Sequence, residues 1–205
     1  MKILLFLLNS LILSACTLVG IRQSEQPDFH TLLAEGPFEL RLYPELLIAE
    51  TTISGDYKTA SDQSFRRLAG FIFGNNTRKE NVAMTTPVYQ ETASESIAMT
   101  IPVFQEADSQ SWRMSFIMPR NYQLDTLPQP LDSSIDIKKL HPRKVAVMTY
   151  SGSLNQDSIN DHATQLIAWL STRSINMISK PKSAAYDPPW TIPNLRHNEI
   201  HIDVE

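Results

Sequence analysis

One strand-to-helix unit occurs twice in this chain, and the repeat limits the possible folds severely. Residues 49–55 (AETTISG) lead into a stretch with helical spacing, and so do residues 146–152 (AVMTYSG), which begin 97 positions later. A strand that ends in Ser-Gly and continues as a helix, twice over, predicts two similar halves packed about a pseudo-twofold axis. The length of 205 residues suits a single core better than two large domains.

Apolar periodicity assigns the remaining elements. Helical spacing of apolar residues predicts one helix around residues 65–72, ended by the Gly-Asn-Asn at 74–76, and a second around residues 159–170. Alternation and β-branched residues predict strands at 38–43, 46–54, 82–90, 97–105, 112–118, 135–140, 144–150 and 198–204. This order predicts an α+β fold with a largely antiparallel, internally duplicated sheet.

A shorter repeat lies in the middle of the chain. Residues 80–91 (ENVAMTTPVYQE) and residues 95–106 (ESIAMTIPVFQE) are identical at eight of twelve positions. The few residues between them predict a hairpin of two adjacent strands. Met84 and Met99 occupy equivalent positions in the two copies, and methionine in a strand usually fills the core and does not bind iron.

Charge and cysteine content exclude several kinds of partner. The chain has 18 Lys and Arg against 22 Asp and Glu, a net charge of −4, so it has no basic surplus for a nucleic acid backbone. One cysteine allows neither an internal disulfide nor a multi-cysteine metal site. No nucleic acid partner is expected.

The N-terminus has the pattern of an export signal. Lys2 precedes an apolar run at residues 3–13, which is too short for a spanning helix of about 20 residues. The run ends in Leu-Ser-Ala-Cys at 13–16, which resembles a bacterial lipobox, so we expect residues 1–15 to be removed and Cys16 to be acylated. An ordinary signal peptide cut elsewhere is the alternative. Thr17 is not the Asp that favours inner-membrane retention, so we expect an outer-membrane protein facing the periplasm if the host is Gram-negative.

Six further segments, in order along the chain, resemble the SOUL family of haem-binding proteins, as does the doubled Ala-Met-Thr-x-Pro-Val. They are residues 20–22 (GIR), 71–76 (FIFGNN), 116–119 (FIMP), 127–130 (LPQP), 185–191 (AYDPPWT) and 196–200 (RHNEI). The resemblance implies a distorted barrel-like sheet with two helices, a doubled half related to bacterial effector-binding domains. It also implies a domain over residues 20–205, joined to the membrane by a short tether at residues 16–19.

The resemblance implies haem as the ligand, held on the outer side of the first helix near the loop before the last strand. In that region Arg66 would bind a propionate, Gly70 would leave room for a planar ring, and Phe73 would contact it. The family favours Met and other apolar residues where this chain has Arg66 and Gly70. The alternative is that Arg66 and Arg67 are solvated surface residues and that Gly70 only eases packing. Secondary candidates in the loop are Lys180, Lys182, Tyr186 and Trp190.

No axial protein ligand to haem iron is assigned. The first helix has no histidine, and His162, at the edge of the apolar face of the second helix, is expected to be a boundary residue. His30 and His141 lie in or near turns and belong to no motif.

The last predicted strand places four polar residues on one face: His197, Glu199, His201 and Asp203. Two imidazoles and two carboxylates are able to bind a divalent metal or to transfer protons. The alternative is that they form the solvated face of an amphipathic strand. No metal site is assigned.

Three functions remain open from the sequence. The first is an envelope-anchored carrier of haem or another flat amphiphile. The second is a small-molecule hydrolase, since related effector-binding domains include hydrolases that use cleft carboxylates, for which Glu50 and Glu199 are the candidates here. The third is an envelope interaction domain without a small-molecule ligand. No Gly-x-Ser-x-Gly, Walker-type loop or His-Glu-x-x-His is present.

Overall fold

The structure is a computed structural model that describes residues 24–93 and 111–205. The strands are β1 (His30–Glu35), β2 (Phe38–Tyr43), β3 (Leu46–Ser54), β4 (Val88–Thr92), β5 (Ser111–Ile117), β6 (Asp136–Leu140), β7 (Arg143–Tyr150), β8 (Lys182–Ala185) and β9 (Asn198–Val204). The helices are α1 (Tyr57–Ile72) and α2 (Gln156–Ser171), and a 3-10 turn spans Pro193–Leu195. The signal segment, Cys16, residues 20–22, the predicted strand 97–105 and Met99 lie outside the described residues.

The nine strands of residues 24–93 and 111–205 form one antiparallel sheet in the order β1-β2-β7-β9-β8-β4-β5-β3-β6. The eight strands from β2 to β6 in this order are related by twofold symmetry. Their first-half members β2, β3, β4 and β5 correspond to β6, β7, β8 and β9, and each pair lies at equal distances from the centre of the order. The pseudo-twofold axis therefore passes between β4 and β8, and β1 is an addition to one half. The sheet curls into a half-barrel, which confirms the predicted α+β, internally duplicated fold.

The repeated Ser-Gly unit works in the same way in both halves. Gly55 and Gly152 both have positive φ, 135° and 126°, a backbone conformation that glycine adopts without steric cost. An N-cap follows each turn: Asp56 accepts from the Thr59 amide at 3.0 Å, and Asn155 accepts from the Ser158 amide at 2.9 Å. A glycine with positive φ and a capping side chain thus precede each helix, with the cap directly after Gly55 and three residues after Gly152.

Both helices cover the same face of the sheet. Leu68, Phe71 and Ile72 of α1 pack on Ala49 and Phe116, whereas α2 packs on alternate residues of β7 and β9. The opposite face curls around a third core cluster. That cluster consists of Tyr43, Leu46, Ile48, Tyr89, Ile117, Val145, Val147, Ala184 and Tyr186.

The structure corrects the predicted strand 82–90, because β4 begins only at Val88. Val82 donates its amide to Ile72 at 2.7 Å, and Pro87 has no amide hydrogen for a ladder. Met84 nevertheless packs against the cluster under α1, as expected of a core residue. Two strands were not predicted from the sequence: β1, which is almost entirely exposed, and β8, which has only four residues.

Candidate functional site

The outer flank of α1 carries Arg66 and Gly70, with Phe73 at the C-cap of the helix. Ala60, Ser64, Leu68, Phe71 and Ile72 form its buried face. Phe73 is 64% exposed, and a Cβ at Gly70 would meet no atom within 4 Å. The helix therefore presents an open strip with an exposed aromatic ring beside a position that lacks a side chain.

The two arginines of α1 have different surroundings. Arg67 is tied to β3, with Nη1 3.0 Å from Thr51 Oγ1, and to the loop before β6, with Nε 3.3 Å from Asp132 Oδ2. Arg66 is exposed, and its Nε donates to the carbonyl of Asp62, one turn earlier in the same helix, at 3.1 Å. Arg66 is thus the arginine whose charge faces outward from α1.

Of the four secondary candidates predicted before the last strand, two lie on the opposite face of the sheet from the α1 strip. Tyr186 is buried, and its hydroxyl donates to Glu199 at 2.6 Å. Lys182 lies in β8 and pairs with Asp203 at 3.0 Å. Both side chains belong to the inner face of the half-barrel, opposite the face that α1 covers. Lys180 is exposed, and Trp190 is 64% exposed in the segment before the 3-10 turn.

A buried polar network surrounds Glu199 on the inner face. Arg41 binds it in a bidentate pair, with Nη1–Oε2 at 3.1 Å and Nη2–Oε1 at 3.0 Å. His201 Nε2 lies 2.6 Å from Oε2, and His197 Nε2 lies 2.8 Å from Oε1. Because a carboxylate only accepts, each of these ring nitrogens donates its hydrogen. Both carboxylate oxygens of Glu199 are therefore fully engaged.

Burial and the neighbouring donors set the ionisation of this network. Burial opposes ionisation of Glu199, but the donors His197 and His201 and the charge of Arg41 outweigh it and hold its pKa far below the usual range. Burial lowers the pKa of His201, against the opposing hydrogen bond to Glu199. Tyr43 also belongs to the network, since its hydroxyl oxygen accepts from Arg41 Nη1 at 3.2 Å, and burial raises its pKa to about 12. At neutral pH the network thus holds a carboxylate, a guanidinium and a neutral His201.

This geometry overturns the interpretation of β9 as an amphipathic strand with a solvated face. Glu199 is 1% exposed and His201 is 0% exposed, while Ile200 and Ile202 on the other face are also buried. Within residues 24–93 and 111–205, no group of three or more His, Cys, Asp or Glu is arranged to hold a metal ion. The alternating polar residues of β9 instead line the interior of the half-barrel.

The two carboxylates considered for hydrolysis both lie in ion pairs. Glu199 is saturated by Arg41 and its other donors, and Glu50 pairs with Lys138 and, at 3.7 Å, with Arg113. His162 stacks on Tyr150 with ring centroids 3.9 Å apart, and its Nδ1 lies 2.6 Å from the Ser158 carbonyl oxygen. The expectation that His162 is a boundary residue is confirmed.

The fold is thus a duplicated α+β half-barrel with two helices on one face of the sheet and an open strip on the first helix. The SOUL heme-binding protein family matches residues 24–203, and the chain belongs to this family. Membership supports binding of haem or another tetrapyrrole. No curated protein matches the sequence significantly. Among the described residues, no helix is long and apolar enough to span a membrane.

Solved structures share the fold at low sequence identity. The EcmrR C-terminal domain aligns with a TM-score of 0.59 and 11% identity, over 82% of this chain and 96% of that one. An uncharacterized conserved protein from Listeria innocua aligns with 0.57 and 12%, over 82% and 92%. A hydrolase from Listeria innocua aligns with 0.55 and 10%, over 85% and 94%. At these identities the likeness concerns the fold alone.

Proposed function

We propose that this protein is a lipid-anchored envelope protein that binds haem or a related tetrapyrrole reversibly along the outer flank of α1. The observation that carries the proposal is the open surface at Gly70, where a Cβ would meet nothing within 4 Å, beside the exposed ring of Phe73. A flat apolar macrocycle needs a surface position of this kind, which has no protruding side chain and lies beside an apolar one. Family membership supports this class of ligand.

Arg66 supplies the polar part of the site. Haem carries two propionates, and an outward-facing guanidinium is a strong donor to a carboxylate. The exposed Asp62 in the preceding turn is paired with Lys58 at 2.8 Å, so its charge is partly compensated. No residue of α1 offers an imidazole to iron, so binding depends on the ring and the propionates rather than on the metal.

The lipid anchor determines where the domain works. Cys16 precedes Ser24, the first described residue, by eight positions, which span at most roughly 29 Å when extended. Acyl chains on Cys16 contribute about 0.8 kcal/mol for each buried CH₂ group, and several chains form a lasting anchor. The domain would then hold its ligand close to the membrane surface, in the periplasm if the host is Gram-negative.

Haemin titration tests the site. The test uses residues 16–205 with Cys16→Ser, a chain that contains every described helix and strand, and follows haem absorbance. Arg66→Glu reverses the charge near the propionates, and Gly70→Phe places a ring in the open space above Gly70. Arg66→Glu should weaken binding at least about tenfold, since a charge-assisted hydrogen bond contributes about 1.5–3 kcal/mol. Gly70→Phe should weaken it by a similar factor, since the new ring occupies the space that the macrocycle needs.

Matched controls place the same changes on other exposed positions. Lys144→Glu reverses an exposed charge on β7, and Thr164→Phe adds a ring on the outside of α2. Both should bind haemin as the parent does, and zinc protoporphyrin should bind about as well as haemin. If Arg66→Glu and Gly70→Phe bind like the parent while His162→Ala or His201→Ala abolishes the absorbance change, the α1 site is wrong.

A further inference from the structure

A groove on another side of the domain opens where β3 begins and β5 ends. Its volume is about 350 Å³, within the range of small-molecule sites. One wall is the N-terminal strap, defined as residues 25–28, which is held by the Thr86 amide donating to the Glu25 carbonyl at 2.9 Å. No residue proposed for the α1 site lines this groove.

The floor and the inner wall of the groove are apolar. Leu46, Ile117 and Met118 are buried beneath it, and the half-buried Leu47 and Tyr122 line it. Leu124, also in the lining, remains 46% exposed. An exposed leucine beside an apolar floor favours a ligand with a hydrocarbon portion.

The rim contains a seat for a carboxylate, formed by Arg120. Its backbone amide donates to Glu25 Oε1 at 3.0 Å, and its Nε donates to the same oxygen at 2.9 Å. Nη1 reaches Asp28 at 2.7 Å, and Nη2 reaches the Gln26 carbonyl at 3.3 Å. The hydrogen bonds from Arg120 lower the pKa of Glu25, so the group that Arg120 holds is a carboxylate in its ionised form.

The carboxylates of the strap, Glu25 and Asp28, bind Arg120 where all three side chains are reached by solvent. The side chains of Arg120 and Asp28 are 61% and 77% exposed, and that of Glu25 is 35% exposed. Exposed ion pairs contribute little net stability, so another carboxylate can replace Glu25 at small cost. A second rim cation, Lys139, pairs with Glu45 at 2.8 Å.

We propose that this groove binds a small amphiphile with a carboxylate head and a hydrocarbon chain. The head takes the Arg120 seat, and the chain lies on Leu46, Ile117 and Met118. Glu25 fills the seat when no ligand is bound and competes with the ligand for it. This site is distinct from the tetrapyrrole site on α1 and does not depend on it.

The test is calorimetric titration with sodium dodecanoate, using residues 16–205 with Cys16→Ser. Acetate supplies the head alone, and dodecyltrimethylammonium supplies the same chain length with a cationic head. Dodecanoate should bind at one site, and the other two should bind at least about tenfold more weakly. Equal binding of dodecyltrimethylammonium would overturn the carboxylate assignment.

Two substitutions in one ion pair should act in opposite directions. Arg120→Gln should weaken dodecanoate binding by up to about fivefold, because it removes an exposed charged donor. Glu25→Gln should strengthen it by up to about fivefold, because it removes the competing charge. A purely structural role for the pair would make both changes act in the same direction, which would overturn the proposal, as would unchanged binding in Arg120→Gln.

Controls separate this site from the α1 site. Arg78→Gln alters another exposed arginine, one that pairs with Glu80, and should leave dodecanoate binding unchanged. Arg66→Glu should also leave it unchanged, even if that variant loses haemin. Loss of dodecanoate binding in Arg66→Glu would overturn a separate groove site. Thermal unfolding of each variant confirms that the fold is retained.

Discussion

Arg41 on β2 and Glu199 on β9 form a bidentate ion pair across β7, which lies between their strands. Both side chains are nearly inaccessible, at 5% and 1% exposure. The pair joins strands that share no backbone hydrogen bonds, and the ring of Phe29 lies over the guanidinium, 4.2 Å from its carbon. This pair is the polar centre of the inner face of the half-barrel.

Removing one member of this pair should destabilise the protein strongly. Glu199→Ala removes the buried carboxylate that faces Arg41 and leaves the guanidinium with Glu39, at 2.8 Å and 27% exposed, as its remaining carboxylate among the described residues. Breaking a buried ion pair in this way typically costs about 3–5 kcal/mol, and the retained Glu39 places the expected loss near the lower end. Urea unfolding at neutral pH measures the loss. Lys58→Ala, which breaks an exposed pair with Asp62, is the control and should cost under about 0.5 kcal/mol. A Glu199→Ala cost close to that of the control would show that the buried pair contributes little.

Stability should fall as the solution is acidified below the ordinary histidine pKa. Burial lowers the folded-state pKa of His201 from 6.5, so below about pH 6.5 the unfolded chain binds more protons than the folded one. The contribution of His201 is present above pH 6.5 and is lost as the pH falls through the lower folded-state value. Glu199, whose pKa is also lowered, adds a second loss below about pH 4.5.

Urea unfolding at pH 7.5, 6.5 and 5.5 measures this dependence. His201→Gln should flatten the free energy of unfolding over that range, whatever its cost at pH 7.5. His141→Gln, at an exposed turn, should leave the parent slope in place. A parent protein whose stability is constant between pH 7.5 and 5.5 would contradict the role given to His201.

Gly70→Ala should stabilise the protein. The added Cβ meets no atom within 4 Å, and alanine in a helix is favoured over glycine by about 0.5–1 kcal/mol. Thermal unfolding measures the gain, and haemin titration of the same variant measures the effect on the ligand. A destabilised Gly70→Ala would mean that the position is not open, and it would remove the main support for the α1 site.

Cys16→Ser should abolish lipid attachment in the bacterial host. Metabolic labelling with a fatty acid should mark the parent and not the variant, and the variant should accumulate as precursor or as soluble protein. Ser10→Ala, inside the apolar run, is a control that should be labelled like the parent. An acylated Cys16→Ser protein of mature size in the membrane fraction would refute the lipobox.

Local patterns in the sequence were sufficient for much of the fold. The repeated Ser-Gly unit correctly predicted the two halves, because each turn needs a glycine with positive φ before a helix cap. Strands β2, β3 and β9 begin and end where alternation predicted. Strand β8 could not be predicted in this way, since its pairing with β4 and β9, not its four residues, makes it a strand.

The sequence by itself determined which residues share a face, and the tertiary structure alone decided what covers that face. Alternation placed Glu199 and His201 together, but only the curl of the sheet brings Arg41 and Tyr186 onto them and excludes water. In the same way, Glu25 and Arg120 are 95 residues apart, and only the path of the strap makes them a pair. Periodicity is a property of one segment, whereas burial and charge pairing depend on contacts between distant segments.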